Sequence, residues 1–169
     1  DLIGGLNSKI FRRDSVFIKP NILADKSFKS GATTNPFVIE ALINILNKHG
    51  VKKITLGEGS IVGKDTLVRV LECGIDKLAA RRNIKLVDLK KDEFIPLSIA
   101  NGRIIKIIKL PKSFLNSEFV INLPVMKTHD SFPATLGLKN MKGIIREQDK
   151  KRFHLWGLAQ CIVDLNKIV

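Results

Sequence analysis

Between Val125 and Gly143 the chain gathers Lys127, His129, Lys139, Asn140 and Lys142, together with Gly137 and Gly143. They fall between the apolar run Phe119 to Leu123 and the next apolar segment, which puts them on a strand-end loop rather than on a solvated helix face. Lys127 and His129 are two residues apart, so in extended backbone both side chains project to one side. A cation there can hold an anionic group while the imidazole moves a proton, because a neighbouring ammonium lowers the histidine pKa and keeps it a neutral base. Lys139 and Asn140 follow at a distance that lets a short loop fold back and complete an oxyanion or phosphate cradle. The bland alternative is a solvated basic loop with His129 exposed. His154, flanked by Phe153, Leu155 and Trp156, reads first as a histidine packed on an aromatic patch at a helix start.

Two further strand ends carry candidate groups. Ser15 to Asn21 reads as a short buried strand that breaks at Pro20, which supplies no ladder donor, leaving Lys19 and Asn21 at its carboxyl end. Lys52 to Leu56 reads as the next strand and empties into Gly57, Glu58, Gly59 and Ser60, then Ile61, Val62 and Gly63. Glycines between a strand and a helix let backbone approach a phosphate at the helix N-terminus. Against a dinucleotide, the spacing is GxGxxxG, Glu58 would repel a pyrophosphate, and Asp88 lies about ten residues beyond the ribose-binding position, roughly 20 residues on. No P-loop, Ser-His-Asp order or paired carboxylates stand out, and His129, His154 and Cys161 match no standard zinc spacing.

The elements that must position these residues alternate. Thr34 or Asn35 caps a helix with Pro36 in its first turn, with an apolar stripe through Val38, Leu42, Ile45 and Leu46, widened by Ile39 and Ile43, and closed by His49-Gly50. Helical spacing resumes at Leu67, Val70 and Leu71, breaks at Gly74, and continues through Ile75, Leu78 and Ala79 to a strand over Ile84 to Asp88. Strand, helix, strand, helix, strand is the order of parallel βαβ units. Phe94 to Ala100 and Arg103 to Leu110 flank Asn101-Gly102, which predicts an antiparallel hairpin with a type I′ turn. Glu118 to Leu123 reads as another buried strand. Leu155, Leu158, Ile162 and Leu165 predict a last helix within Phe153 to Val169. The segment from Ala24 to Ala32 reads as polar loop.

With 169 residues, 44% of them hydrophobic, the chain can bury one substantial core. Its longest apolar runs fall far short of the roughly 18 residues a membrane span requires. Cys73 and Cys161 are far apart and outside any CxxC pair, which predicts small apolar core residues and a reducing cytoplasm. Lys and Arg number 29 against 16 acids, a net charge of +13, which concentrates any anionic partner. From Arg103 to Arg152 there are 11 basic residues and 4 acids. That stretch keeps open a nucleic-acid or acidic-protein module, but it lacks interleaved aromatics and the chain has no Tyr.

The series Ile18-Lys19-Pro20-Asn21, Ala32 to Pro36, Asn122 to His129, Thr135 to Gly143 and finally His154 resembles the family catalogued as domain of unknown function 362. Lys127 and His129 in a KxH pattern, with Thr135, Lys139, Asn140 and Gly143 downstream, carry most of it. The resemblance implies an α/β domain of bacteria and archaea, sometimes fused to ferredoxin-like iron-sulfur segments. It maps motif positions onto Lys19, Asn21, Thr34, Lys127, His129, Lys139, Asn140 and His154. It differs at Glu58, where members often carry aspartate, and it implies that the domain continues past Val169 with a further strand. An iron-sulfur cluster could then come only through a missing region or a partner.

The expectation is therefore one α/β domain, a fragment of a longer family domain: a layered, mostly parallel sheet flanked by helices, with an antiparallel hairpin near residues 94–110. Lys19, Lys127 and Lys139 are expected to hold a small anionic ligand that Asn21 and Asn140 orient. His129, with Glu58 as a second group, is expected to transfer a proton. Thr34, Gly57, Gly59, Ser60 and His154 are further ligand-binding candidates, and no metal site or membrane contact is expected. An electron-transfer accessory role is the remaining rival.

Overall fold

A computed structural model describes residues 14–23, 27–129 and 132–169. Part of the expected loop 24–32, at 24–26, and Asp130 lie outside the described residues. Four parallel strands form the central sheet: β1 (Ser15–Pro20), β2 (Lys53–Glu58), β3 (Lys85–Asp88) and β6 (Phe119–Leu123), in the order β3-β2-β1-β6. Between β3 and β6 lie the antiparallel pair β4 (Phe94–Ser98) and β5 (Ile107–Pro111), and after β6 a small pair, β7 (Lys127–His129) and β8 (Phe132–Thr135). The chain is thus an α/β protein with a parallel sheet and two antiparallel hairpins.

Alternation on β1 divides the core. Val16 and Ile18 join Ile39, Ile43 and Leu46 of helix α1 (Pro36–Lys48) on one face. Phe17 points the other way, into Leu110, Phe114, Ile144, Phe153 and Leu165. Gly57 belongs to this second face: a Cβ there would overlap the Phe17 ring, so the glycine is required for packing between β2 and β1.

Helix α1 starts as expected, with the Asn35 side chain accepting from Phe37 N at 2.9 Å and Pro36 in the first turn. Its buried stripe is rotated from the expected one. Ile39, Ile43 and Leu46 are buried, while Val38 and Ile45 are exposed, because seven apolar positions cover more of the helix than one sheet face can. Helices α2 (Thr66–Glu72) and α3 (Ile75–Arg81) break at Gly74, whose φ is +68°.

Three other expectations are corrected. The β4–β5 hairpin closes through Ile99 N to Lys106 O, with only Asn101 at positive φ in its turn and not Gly102, so it is a wider loop and not a type I′ turn. The buried carboxylate of Asp164 gathers that loop, accepting from the backbone N–H groups of Arg103, Ile104 and Ile105 at 3.0, 2.7 and 3.1 Å. Strand β6 is half-buried along its length, because it lies at the sheet edge. The last helix is two, α6 (Glu147–Trp156) and α7 (Leu158–Leu165), separated by Gly157 at φ +106°. Before them come the short helices α4 (Lys112–Leu115) and α5 (Gly137–Asn140) and a 3-10 turn over Met141–Ile144.

Candidate functional site

All four strands of the parallel sheet deliver their carboxyl ends to one side, and between β1 and β6 the strand order reverses, the place where open α/β sheets form a crevice. A cleft of about 650 Å³ opens there, reached by the ends of β1, β2 and β7 and by α5, the 3-10 turn and α6. Six lysines line it: Lys19, Lys127, Lys139, Lys142, Lys150 and Lys151. They are accompanied by His129 and His154 and by one carboxylate, Glu58.

Beneath the cleft, Lys19 is fully buried and its Nζ meets Glu58 Oε1 at 2.7 Å and Pro20 O at 2.7 Å. The same carboxylate accepts from Gly59 N at 2.8 Å and from Ile22 N at 3.0 Å, so Glu58 has partners on both oxygens. Desolvation pulls the Lys19 pKa down, and the Glu58 charge opposes it. Gly143 lies directly over this pair: a Cβ there would come within 2.6 Å of Glu58 Oε1 and 2.7 Å of Lys19 Nζ. Only glycine lets the loop settle that close.

The turn after β2 works differently from a phosphate cradle. The first amides of α2, Leu67 N and Val68 N, are capped by Asp65 Oδ1 at 2.7 and 3.2 Å, which leaves no anion site at that helix end. Gly59 and Ser60 present carbonyls instead, and the buried Lys150 Nζ donates to both, at 2.7 and 2.9 Å. The Ser60 hydroxyl is tied back to Lys64 O at 2.7 Å.

At the switch point, Asn140 Nδ2 donates to Asn122 Oδ1 at 2.7 Å and to the carbonyls of Lys19 and Pro20, both at 3.3 Å. It pins α5 across the ends of β1 and β6. Thr34 is outside the cleft lining; its Oγ1 accepts from Asn21 N and donates to Leu123 O, each at 2.8 Å, which ties the same two strand ends from behind. Gly57 is also outside the lining. Lys127 Nζ donates to Asn21 Oδ1 and to Ala32 O, and Thr135 Oγ1 donates to Lys127 O at 2.8 Å, fixing the start of β7. Lys127 and His129 face the same cleft, as their spacing requires, and the His129 ring lies 6.1 Å from that of Phe132.

The Lys139 side chain has no hydrogen-bonding or ion-pair partner among the described residues, while its carbonyl accepts from Met141 N. Burial lowers its pKa. Burial, then the Lys139 charge, brings Lys127 and Lys142 each down to about 8, and burial brings Lys150 to about 8 against the pull of Glu58. Lys142 Nζ lies 2.6 Å from His154 Nε2, and burial followed by the Lys142 and Lys139 charges lowers the histidine.

Lys142 and Thr135 stand in the stretch that concentrates chemistry but are given no role from the sequence, and Lys150 and Asn122 are not singled out. Lys142 follows Lys139 by three residues, a helical spacing that could have paired them. Lys150 sits in a charged helix start, GluGlnAspLysLys, that reads as solvated surface, and only tertiary packing buries it. The basic run 103–152 is therefore divided. Its Lys127, Lys139, Lys142, Lys150 and Lys151 enter the cleft, while Arg103, Lys106, Lys109 and Lys112 are exposed on and beside the β4–β5 hairpin.

Lys19, Asn21, Lys127, His129, Lys139, Asn140 and His154 all line this single cleft, and one family model covers the chain that carries them. The chain belongs to the family described as a domain of unknown function (DUF362), whose model matches residues 16–169. It is also similar to a thylakoid-associated protein of Synechocystis sp., with 25% identity over 153 residues. That alignment covers 90% of this chain and 46% of the relative, so the chain spans about half the length of the curated protein it matches. No solved structure matches this DUF362 chain. Among its described residues no helix is long and apolar enough to cross a membrane, and no group of three or more His, Cys, Asp or Glu is placed to hold a metal ion.

Proposed function

We propose that this DUF362 domain binds a small, non-aromatic anion bearing carboxylate or phosphate groups in the lysine cleft, and that a proton is moved there by an imidazole. The observation that carries this reading is the imbalance of charge: among the described residues six lysines face one carboxylate, and that carboxylate is already engaged by Lys19. Lys19 and Lys150 are buried and Lys127, Lys139 and Lys142 half-buried, and crowding partly desolvated ammonium groups is unfavourable unless an anion compensates them. Among the described residues no Phe or Trp lines the cleft, which argues against a stacked nucleobase.

Within this reading Lys139 and Lys127 contact the anion, Lys19 and Glu58 form a neutral floor, and Asn21 and Asn140 hold the cleft in shape. His129 and His154 are the groups with proton-transfer chemistry. Buried, unpaired Cys73 and Cys161 lie in different cores, which supports a reducing, cytoplasmic setting; the relative's name links that protein to thylakoids.

Calorimetric titration of the full chain with inorganic phosphate and with citrate tests the proposal. Saturable one-site binding that weakens modestly with salt is expected. Absence of binding by either anion would sink it, and a steep salt dependence with oligonucleotides in place of the small anions would favour a phosphate-backbone binder.

A further inference from the structure

The cleft lysines differ in what they donate to. Lys19 meets a carboxylate and a carbonyl, Lys127 an amide oxygen and a carbonyl, Lys150 two carbonyls. Amide and carbonyl oxygens hold the ammonium form and are too weakly basic to take its proton, and the Glu58 carboxylate beside Lys19 is already held by Gly59 N and Ile22 N. Lys142 is the exception: its partner, at 2.6 Å, is the imidazole nitrogen Nε2 of His154. With Lys142 donating, His154 Nε2 is the bare nitrogen and the ring proton sits on Nδ1, so the imidazole is a base already aligned with the amine. The pair lies at the rim of the cleft, with Lys142 half-buried and His154 exposed, where a small molecule can reach the nitrogen. Three residues earlier on the same helical segment stands Lys139, a half-buried cation whose side chain has no partner among the described residues.

We propose that Lys142 is a nucleophilic amine that forms a reversible imine with a small carbonyl compound carrying a carboxylate or phosphate, with His154 relaying its protons and Lys139 holding the anionic group. This rests on the anion-cleft reading and adds a reaction to it. The Lys142 ammonium gives a proton to His154 Nε2, and the freed nitrogen attacks the carbonyl carbon. A C–N bond forms as the carbonyl π bond breaks, and the imidazolium returns the proton to the oxygen. A second proton passes from nitrogen through His154 to that hydroxyl, which leaves as water. Ammonium and carbonyl thus become iminium and water with no oxidant or reductant. The charges facing Lys142 favour the free amine: burial, then Lys139, lowers it to about 8, with Lys150 also nearby, while Cys161 acts in the opposite sense. At neutral pH an amine of that kind has roughly a hundredfold more of its population unprotonated than a solvent-exposed lysine near 10.4.

Reductive trapping reads this directly. The full chain is incubated at pH 7.5 with glyoxylate and cyanoborohydride, and the modified lysines are located by peptide mass spectrometry. Lys142 is expected to be labelled first and at least about tenfold faster than exposed lysines such as Lys109. His154→Ala is expected to slow labelling at Lys142 by about a hundredfold, with the exposed lysines unchanged. Lys142→Arg keeps the charge and should keep phosphate binding while losing the fast adduct. Labelling spread evenly over exposed lysines, or fastest at Lys127, overturns the inference. Inorganic phosphate binding measured on the same sample separates the two readings: retained binding without Lys142 selectivity removes only the imine, and loss of both removes the cleft as well.

Discussion

Two regions of this DUF362 domain bury charge, and they do so to opposite ends. Under the β4–β5 loop a single carboxylate, Asp164, is surrounded by donors: three backbone N–H groups, Gln160 Nε2 at 2.9 Å and Lys167 Nζ at 3.3 Å. Burial alone would raise its pKa, but those bonds hold the carboxyl far below the usual range. At the carboxyl edge of the sheet, six lysines share one carboxylate among the described residues, and the side chains of two of them, half-buried Lys139 and exposed Lys151, have no partner there. The first arrangement is closed and needs nothing from solution. The second has positive charge in excess, which is the condition for binding an anion.

The largest effect that could break this comparison is expected at the floor of the cleft. Glu58→Ala leaves Lys19 buried and uncompensated and removes the acceptor of Ile22 N and Gly59 N, so a loss of about 4 kcal/mol in denaturant unfolding is expected. Adding Lys19→Met should recover most of it. If the single change costs nothing, the pair is not the buried unit described here.

Asp164→Ala should come next, at about 3 kcal/mol, because three loop amides lose their shared acceptor. Phosphate affinity should stay as in the unaltered chain, since the site is on another part of the molecule. A fall in affinity would show the two regions to be one coupled unit.

Lys139→Ala should do the reverse. Stability should move by no more than about 0.5 kcal/mol, while phosphate affinity falls about tenfold in calorimetry. Unchanged affinity would remove Lys139 from the site.

The smallest effect, and the one that sharpens the contrast, is in pH. Asp164 is depressed, so the stability it supplies is present above its unfolded pKa and is lost as pH falls towards the lower folded value. Lys127, Lys142 and Lys150 are depressed from 10.5 to about 8. Between those values the unfolded chain binds more protons, so their contribution to stability rises from pH 8 to pH 10.5 and is flat below. Thermal melts of the wild-type chain and Lys142→Met across pH 8 to 10.5 should converge or diverge in that window alone. A difference confined to pH below 6 would contradict the assignment.

Local chemistry in the sequence determined the α/β class, the break after Lys19-Pro20, the Asn35-Pro36 helix start and the Gly74 interruption. Each depends on one residue's own backbone limits or on a period of two or 3.6, and neither needs knowledge of distant segments. The KxH spacing likewise fixed that Lys127 and His129 face one way. What they face was decided only by tertiary structure. A parallel sheet whose order reverses between β1 and β6 brings Lys19, Lys127, Lys139 and Lys150 together across more than a hundred residues of chain. Burial of Lys150, the closed bonding of Glu58, and the exposure of Val38 in place of Ile43 follow from which surfaces meet. Such long-range contact sets desolvation and hydrogen-bond partners, and no single segment carries that information.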